Sequence, residues 1–205
     1  LLSAAPAVTV NAGALLDMSD TEQEVGALAG AGTVALGDFG ELTFGALGTD
    51  TTFSGTVSDD GSASDDTAIE KVGGATLTLS NASTDADVFL ITEGAVVADT
   101  ADVLAGTEYI EIDGAGALTL NADQTVGDLS IEEDGVVDLG SHTLTVGGTG
   151  SYGSFIEGTM AGSGGSLHVT DDVEMVFGLV AGIGFGTYTG STTLTGHAYL
   201  GPFNG

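Results

Sequence analysis

The sequence predicts an all-β protein built as a parallel β-solenoid, and three observations carry that prediction. Helical periodicity is nearly absent, because 35 glycines in 205 residues interrupt most windows long enough to display it. Short segments instead alternate apolar residues with Thr or Ser, so that side chains two apart share a face. Similar segments also recur at an interval that suits one solenoid coil. Leu118, Leu144, Leu167 and Thr193 open rungs that begin 26, 23 and 26 residues apart, within the range of about 20 to 50 residues typical of structural repeats.

The elements follow in order. Residues 8–10 open the first strand. The preceding LLSAAPA also resembles the end of a signal peptide, with Ala5, Pro6 and Ala7 as a small-residue site. Further strands are expected at 33–36, 41–44, 75–79, 109–112, 117–120, 128–131, 136–139, 142–146 and 166–169, with Gly, Asn and Asp in the turns. Within 75–79, Leu77 and Leu79 should enter a core while Thr78 faces water. At about 24 residues per coil the chain makes roughly eight coils, a rod of about 40 Å at the strand spacing. An antiparallel sandwich also uses short strands, but Asn-Gly and Asp-Gly hairpin turns are few. The chain therefore reads as a single solenoid domain, 1–205, with an apolar interface segment at 173–186.

Composition limits the partners. Thirty acidic residues face one lysine, Lys71, and no arginine, for a formal net charge of −29. Such a balance would suggest a disordered acidic tail, but 42% hydrophobic residues supply material for a continuous core. The surface repels phosphate backbones and anionic membranes, which leaves cations, sugars or copies of the chain itself as partners. With no cysteine there is no disulfide framework and no thiol chemistry. No run approaches the roughly 18 apolar residues of a spanning helix. Together these features suit a bacterial surface or secreted protein.

A resemblance adds to this reading. Phe53, Gly55 and Val57, followed by Ile69 to Asn81 (IEKVGGATLTLSN), are similar to the repeat of bacterial autotransporter passenger domains, loosely F-x-G-x-I … K-x-G-x-G-T-L-T-L-S-G. Upstream, Val25 to Leu36 resembles the L-x-G-x-G-x-V rung that precedes that repeat, and Tyr188 to Thr193 is a partial echo. The resemblance implies a right-handed parallel β-helix on the cell surface. Ala75 and Asn81 replace usual glycines, the loop 58–67 is an acidic insertion, and no membrane barrel is recognisable. The chain thus looks like a passenger-type module without its transporter, or an independent filament subunit. Lys71 is expected at a corner, its stem covering apolar edge and its ammonium in water or on a neighbouring acid.

Chemistry-bearing residues are sparse. β-Helical lyases need Arg, Lys or His beside their carboxylates, and here the bases are missing. A two-carboxylate hydrolase stays open, although pairs such as Asp171 with Asp172, or Glu132 with Glu133, read as solvated surface. His142 and His168 sit at offsets that place them on opposite faces, so a ladder of His142, His168 and His197 is not expected to share a metal. Calcium is the candidate cofactor, with Asp59, Asp60, Asp65 and Asp66 in one Gly- and Ser-containing loop. The nearly continuous apolar run from Val173 to Gly186 offers Phe177, Leu179, Ile183 and Phe185 for self-association. The function expected is a non-catalytic extracellular filament subunit assembling end to end. The alternatives are an adhesin passenger that binds glycan or a cell surface and, third, a carbohydrate-active β-helix enzyme.

Overall fold

The computed structural model describes residues 5–59, 67–147 and 153–170, together with the backbone of the strands Val173–Phe177, Ser191–Leu194 and Ala198–Pro202. Every regular element among the described residues is a strand, and the strand pairings are parallel. The chain winds through three stacked faces, completing about seven turns, so the expected β-solenoid is the fold.

One face, here called the acidic face, stacks Glu22–Val25, Glu41–Phe44, Ala68–Lys71, the first halves of Val88–Ala98 and Tyr109–Leu120, then Asp128–Ile131, Ser154–Ile156, Val173–Phe177 and Ala198–Pro202. The neutral face stacks Ala7–Val10, Ala27–Gly30, Thr51–Phe53, Thr76–Leu79, the second halves of the two long strands, Val136–Asp138 and Thr159–Ala161. The third face stacks Leu15–Asp17, Thr33–Ala35, Thr56–Ser58 and Ser83–Thr84, and resumes with Gln124–Val126, Thr143–Val146, Ser166–Val169 and Ser191–Leu194. A turn bridges its gap: the Thr84 N–H donates to the Val103 carbonyl at 3.0 Å, and the Leu104 N–H to Gln124 Oε1 at 3.4 Å.

Two strands run continuously from the acidic to the neutral face, and they bend where residues can leave extended geometry. Their register shifts between Ile91 and Glu93. Gly94 and Gly114 supply φ values of 70° and 55° at that corner, which a side chain with Cβ would resist.

Period-two alternation fills the lumen. On the acidic face the inward column is Val25, Phe44, Lys71, Ile91, Ile112, Ile131 and Ile156, each beside the next. On the neutral face Leu77, Val96, Leu118, Val137 and Met160 form another, all buried. Each buried aliphatic or aromatic side chain contributes about 1.5–3 kcal/mol, and its environment is completed by the coils above and below. Leu77 and Leu79 are inside and Thr78 is outside, as the alternation requires.

The register corrects the rung assignment. Leu118 stands on the neutral face beside Val137, whereas Leu144 stands on the third face beside Gln124 and Leu167. The step from Leu118 to Leu144 therefore moves between faces and is not one coil. True partners range from Leu15 beside Thr33 to Glu41 beside Ala68, because corner loops absorb variable length.

Candidate functional site: a buried lysine and an acidic corner

Lys71 ends the strand Ala68–Lys71, whose alternation turns Ile69 and Lys71 inward. The residue is 2% exposed. Its ammonium donates to the carbonyls of Val72 at 2.9 Å, Gly73 at 2.6 Å and Glu93 at 3.1 Å, which uses all three N–H groups. The turn that makes this possible reverses at Gly73, with φ 70°, and the Gly73 N–H donates to Glu93 Oε2 at 3.0 Å. This corrects the expectation for Lys71: its ammonium reaches neither water nor an acidic side chain, but is held by backbone oxygens. Burial lowers its pKa, while Glu93 and Asp50 oppose that shift.

A second constellation lies at the corner where the third face passes to the acidic face. Successive coils place Asp59, Asp85, Asp87, Glu108 and Asp128 there. The Asp59 N–H donates to the Asp85 carbonyl at 3.1 Å, the Glu108 N–H to Ala86 at 3.1 Å, and the Asp128 N–H to Glu108 at 2.6 Å. Asp87 and Asp128 are buried, and each accepts hydrogen bonds from a residue of the neighbouring coil. Asp87 Oδ2 accepts from the Thr67 N–H at 2.8 Å and from its hydroxyl at 3.2 Å, and the Asp87 N–H returns a bond to that hydroxyl at 3.1 Å. Asp128 accepts from the Gly153 N–H at 2.8 Å and the Ser154 hydroxyl at 3.4 Å. These two carboxylates do the work of caps, tying a coil to its neighbour.

Asp85 and Glu108 are exposed instead. Partial withdrawal from water, then repulsion by Asp59 and Asp87, raises the Asp85 pKa. Glu108 is raised for the same reasons, with Asp87, Asp59, Asp85 and Asp128 as the repelling neighbours. The corner thus stores negative charge without an internal cation. Among the described residues no group of three His, Asp or Glu side chains is arranged to hold a metal ion.

The proposed calcium loop is anchored at this corner, leaving from Asp59 and returning at Thr67. Asp60, Asp65 and Asp66 lie outside the described residues, and only Asp59 is placed. For the self-association set, Phe177 ends Val173–Phe177 and its backbone lies beside Pro202. Its side chain, and Leu179, Ile183 and Phe185, lie outside the described residues. His168 faces outward beside Thr145 and Thr193, while His142 sits in the turn before its strand, with Nδ1 3.7 Å from Asp123 Oδ1. The two histidines do not converge; His197 lies outside the described residues.

Compared with family models, curated proteins and solved structures, the chain matches none. The corner was invisible in sequence because acids are common here. Only the register shows that Asp87 and Glu108 precede strands that pair, Val88 beside Tyr109, and that Asp128 stands beside Tyr109 in the next coil.

Proposed function

We propose that this chain is a non-catalytic structural β-solenoid of the bacterial surface, a rod segment that joins others of its kind end to end. The observation that carries this reading is the interior position of Lys71. It is the only Lys or Arg in the sequence, so the exterior carries no lysine or arginine to neutralise an anionic substrate or stabilise developing negative charge. The same lack of cations opposes lateral packing of two rods, since like charges repel until salt or divalent cations screen them. Axial contact is favoured. Coils of a solenoid pair only with the coils before and after them, and Leu15, 63% exposed, offers apolar contact to a neighbouring copy. The passenger-type repeat around Lys71 supports a right-handed coil and the surface setting, and calcium at the Asp59 loop would serve as a bridging counterion.

Sedimentation and electron microscopy test the reading. Linear polymers should grow with salt or calcium and shorten in Leu15→Asp, whose own fold survives. Monomers alone, at high salt and high concentration, would sink it.

A second reading, an adhesin passenger binding glycan, draws on Phe39. This aromatic is 53% exposed and held at φ 49° beside Asp38, an uncommon conformation for a bulky residue. Glycan-array binding that disappears in Phe39→Ala would favour it over the filament.

A further inference from the structure

The corner that follows Ala68–Lys71 gathers three carbonyl oxygens around one point. Those of Val72 and Gly73 come from one coil and that of Glu93 from the next, and the Lys71 ammonium sits among them at 2.9, 2.6 and 3.1 Å. The lumen does not ask for a cation here. At the equivalent inward position the adjoining coils carry Phe44 and Ile91, and the following ones Ile112 and Ile131. What differs at Lys71 is the turn beyond it, whose Val72 and Gly73 carbonyls accept from the ammonium together with that of Glu93 in the next coil. One donor group thus serves three carbonyls, two from its own turn and one from the neighbouring coil.

The structure assigns this corner as a monovalent-cation site whose native occupant is the chain's own tethered ammonium. Three neutral oxygens suit a cation of low charge density, ammonium or potassium, better than a hard divalent ion, which takes six or more oxygens, several of them carboxylate. Burial disfavours positive charge here more than the Glu93 and Asp50 carboxylates favour it, so the three carbonyl contacts have to hold the cation. Gly45 has to stay bare for this corner to form, because a Cβ there would overlap the Val72 carbonyl oxygen, one of the three acceptors.

The location explains why one coil uses such a device. Ala68–Lys71 follows the acidic loop and lies beside Glu41–Phe44, the widest sequence separation along the acidic face. A strand arriving after a long excursion can slip by one residue, which would turn Ile69 outward. Here the strand is fixed to Val88–Ile91 at both ends, by Thr67 with Asp87 at its entrance and by the ammonium with the Glu93 carbonyl at its exit. Polar groups that can be satisfied in only one alignment set register in this way. The inference concerns this corner alone and does not depend on axial stacking.

Lys71→Ala is the decisive variant, because it clears the stem so that a free ion can reach the three carbonyls, whereas a longer side chain would end within a bond length of the ammonium position. Its melting temperature should be higher in ammonium chloride than in tetramethylammonium chloride at equal ionic strength, since the larger ion cannot enter. The wild-type chain should melt alike in both salts. Equal melting of Lys71→Ala in the two salts, or the same preference in the wild type, overturns the assignment. Should the variant not fold, nitrogen-15 NMR of the wild-type lysine decides. Ammonium protons that exchange slowly with water support the cage, and protons that exchange as fast as those of a solvent-exposed lysine refute it.

Discussion

The acidic and neutral faces are made by the same chain, coil by coil, and agree inside while differing outside. Their inward columns are both aliphatic or aromatic, with Lys71 the exception. Their outward columns share little. On the acidic face Glu24, Thr43, Glu70, Leu90, Glu111 and Ser130 follow one another, and hydroxyls of neighbouring coils hold the acids: Thr43 and Thr92 donate to Glu70 at 3.2 and 3.3 Å. On the neutral face Thr52, Thr78, Val97, Thr119, Asp138 and Ala161 follow one another, with a single acid. The difference teaches that stacking constrains the lumen and leaves the exterior free to vary.

The sharpest way to break that lesson is a neighbouring pair on one strand. Leu118→Asp should cost more than about 4 kcal/mol and unfold the chain, because an isolated charge would enter the lumen. Thr119→Asp, one residue away and facing out, should stay within about 0.5 kcal/mol. Chemical denaturation followed by circular dichroism reads both, and comparable losses would contradict the assigned faces.

Lys71 tests the one exception among the inward columns. Lys71→Met should destabilise by about 2–3 kcal/mol, since carbonyls lose their donors even as an apolar residue fits the ladder. Titration adds a sign. The folded pKa of Lys71 lies below its unfolded value of 10.5, so the unfolded chain holds the proton more tightly. Stability from this group therefore rises with pH through the window up to 10.5, and the rise should vanish in Lys71→Met. Tyr109 works the other way. Burial pushes it up to about 12 from 10.0, so its contribution is present below 10.0 and lost towards 12. A mutant whose alkaline profile matches the wild type would remove Lys71 from this account.

Thr84 offers a smaller effect on the third face. Its buried hydroxyl has no partner and lines a lumen cavity with Phe53, Leu77 and Phe89. Thr84→Val should gain about 1 kcal/mol by removing that unsatisfied group, and a loss of stability would indicate a polar role for it.

The smallest effect belongs to the outside of the acidic corner. Glu108→Gln should stabilise by roughly 0.2–1 kcal/mol at low salt, less as salt screens the repulsion. Asp85 and Glu108 have folded pKa values above 3.8 and 4.5, so their stabilising contribution is present below those values and lost as pH rises through the folded ones. Their share of stability should accordingly grow as pH falls through the folded values towards 4.5 and 3.8, and Asp85→Asn with Glu108→Gln should flatten that trend. An unchanged acid limb in the double variant would show that the corner carries no significant strain.

Much of the fold was legible from residues alone. Alternation placed Leu77 and Leu79 inside, and the same period-two pattern buries Ile110, Ile112, Leu129, Ile131, Leu167 and Val169. The long strand Val88–Ala98 escaped notice because Thr92, Glu93 and Gly94 read as a break, whereas they are a bend. The rungs at Leu118 and Leu144 were joined wrongly, since an LTL-type rung looks the same on any face. The composition by itself determined that the chain would build a β-rich core under an almost purely anionic surface. Only the tertiary structure decided which face each rung joins, that the lone lysine turns inward, and which acids stand together. Those outcomes depend on loop length at each corner and on which backbone oxygens a turn exposes, and neither is written in the local alternation of side chains.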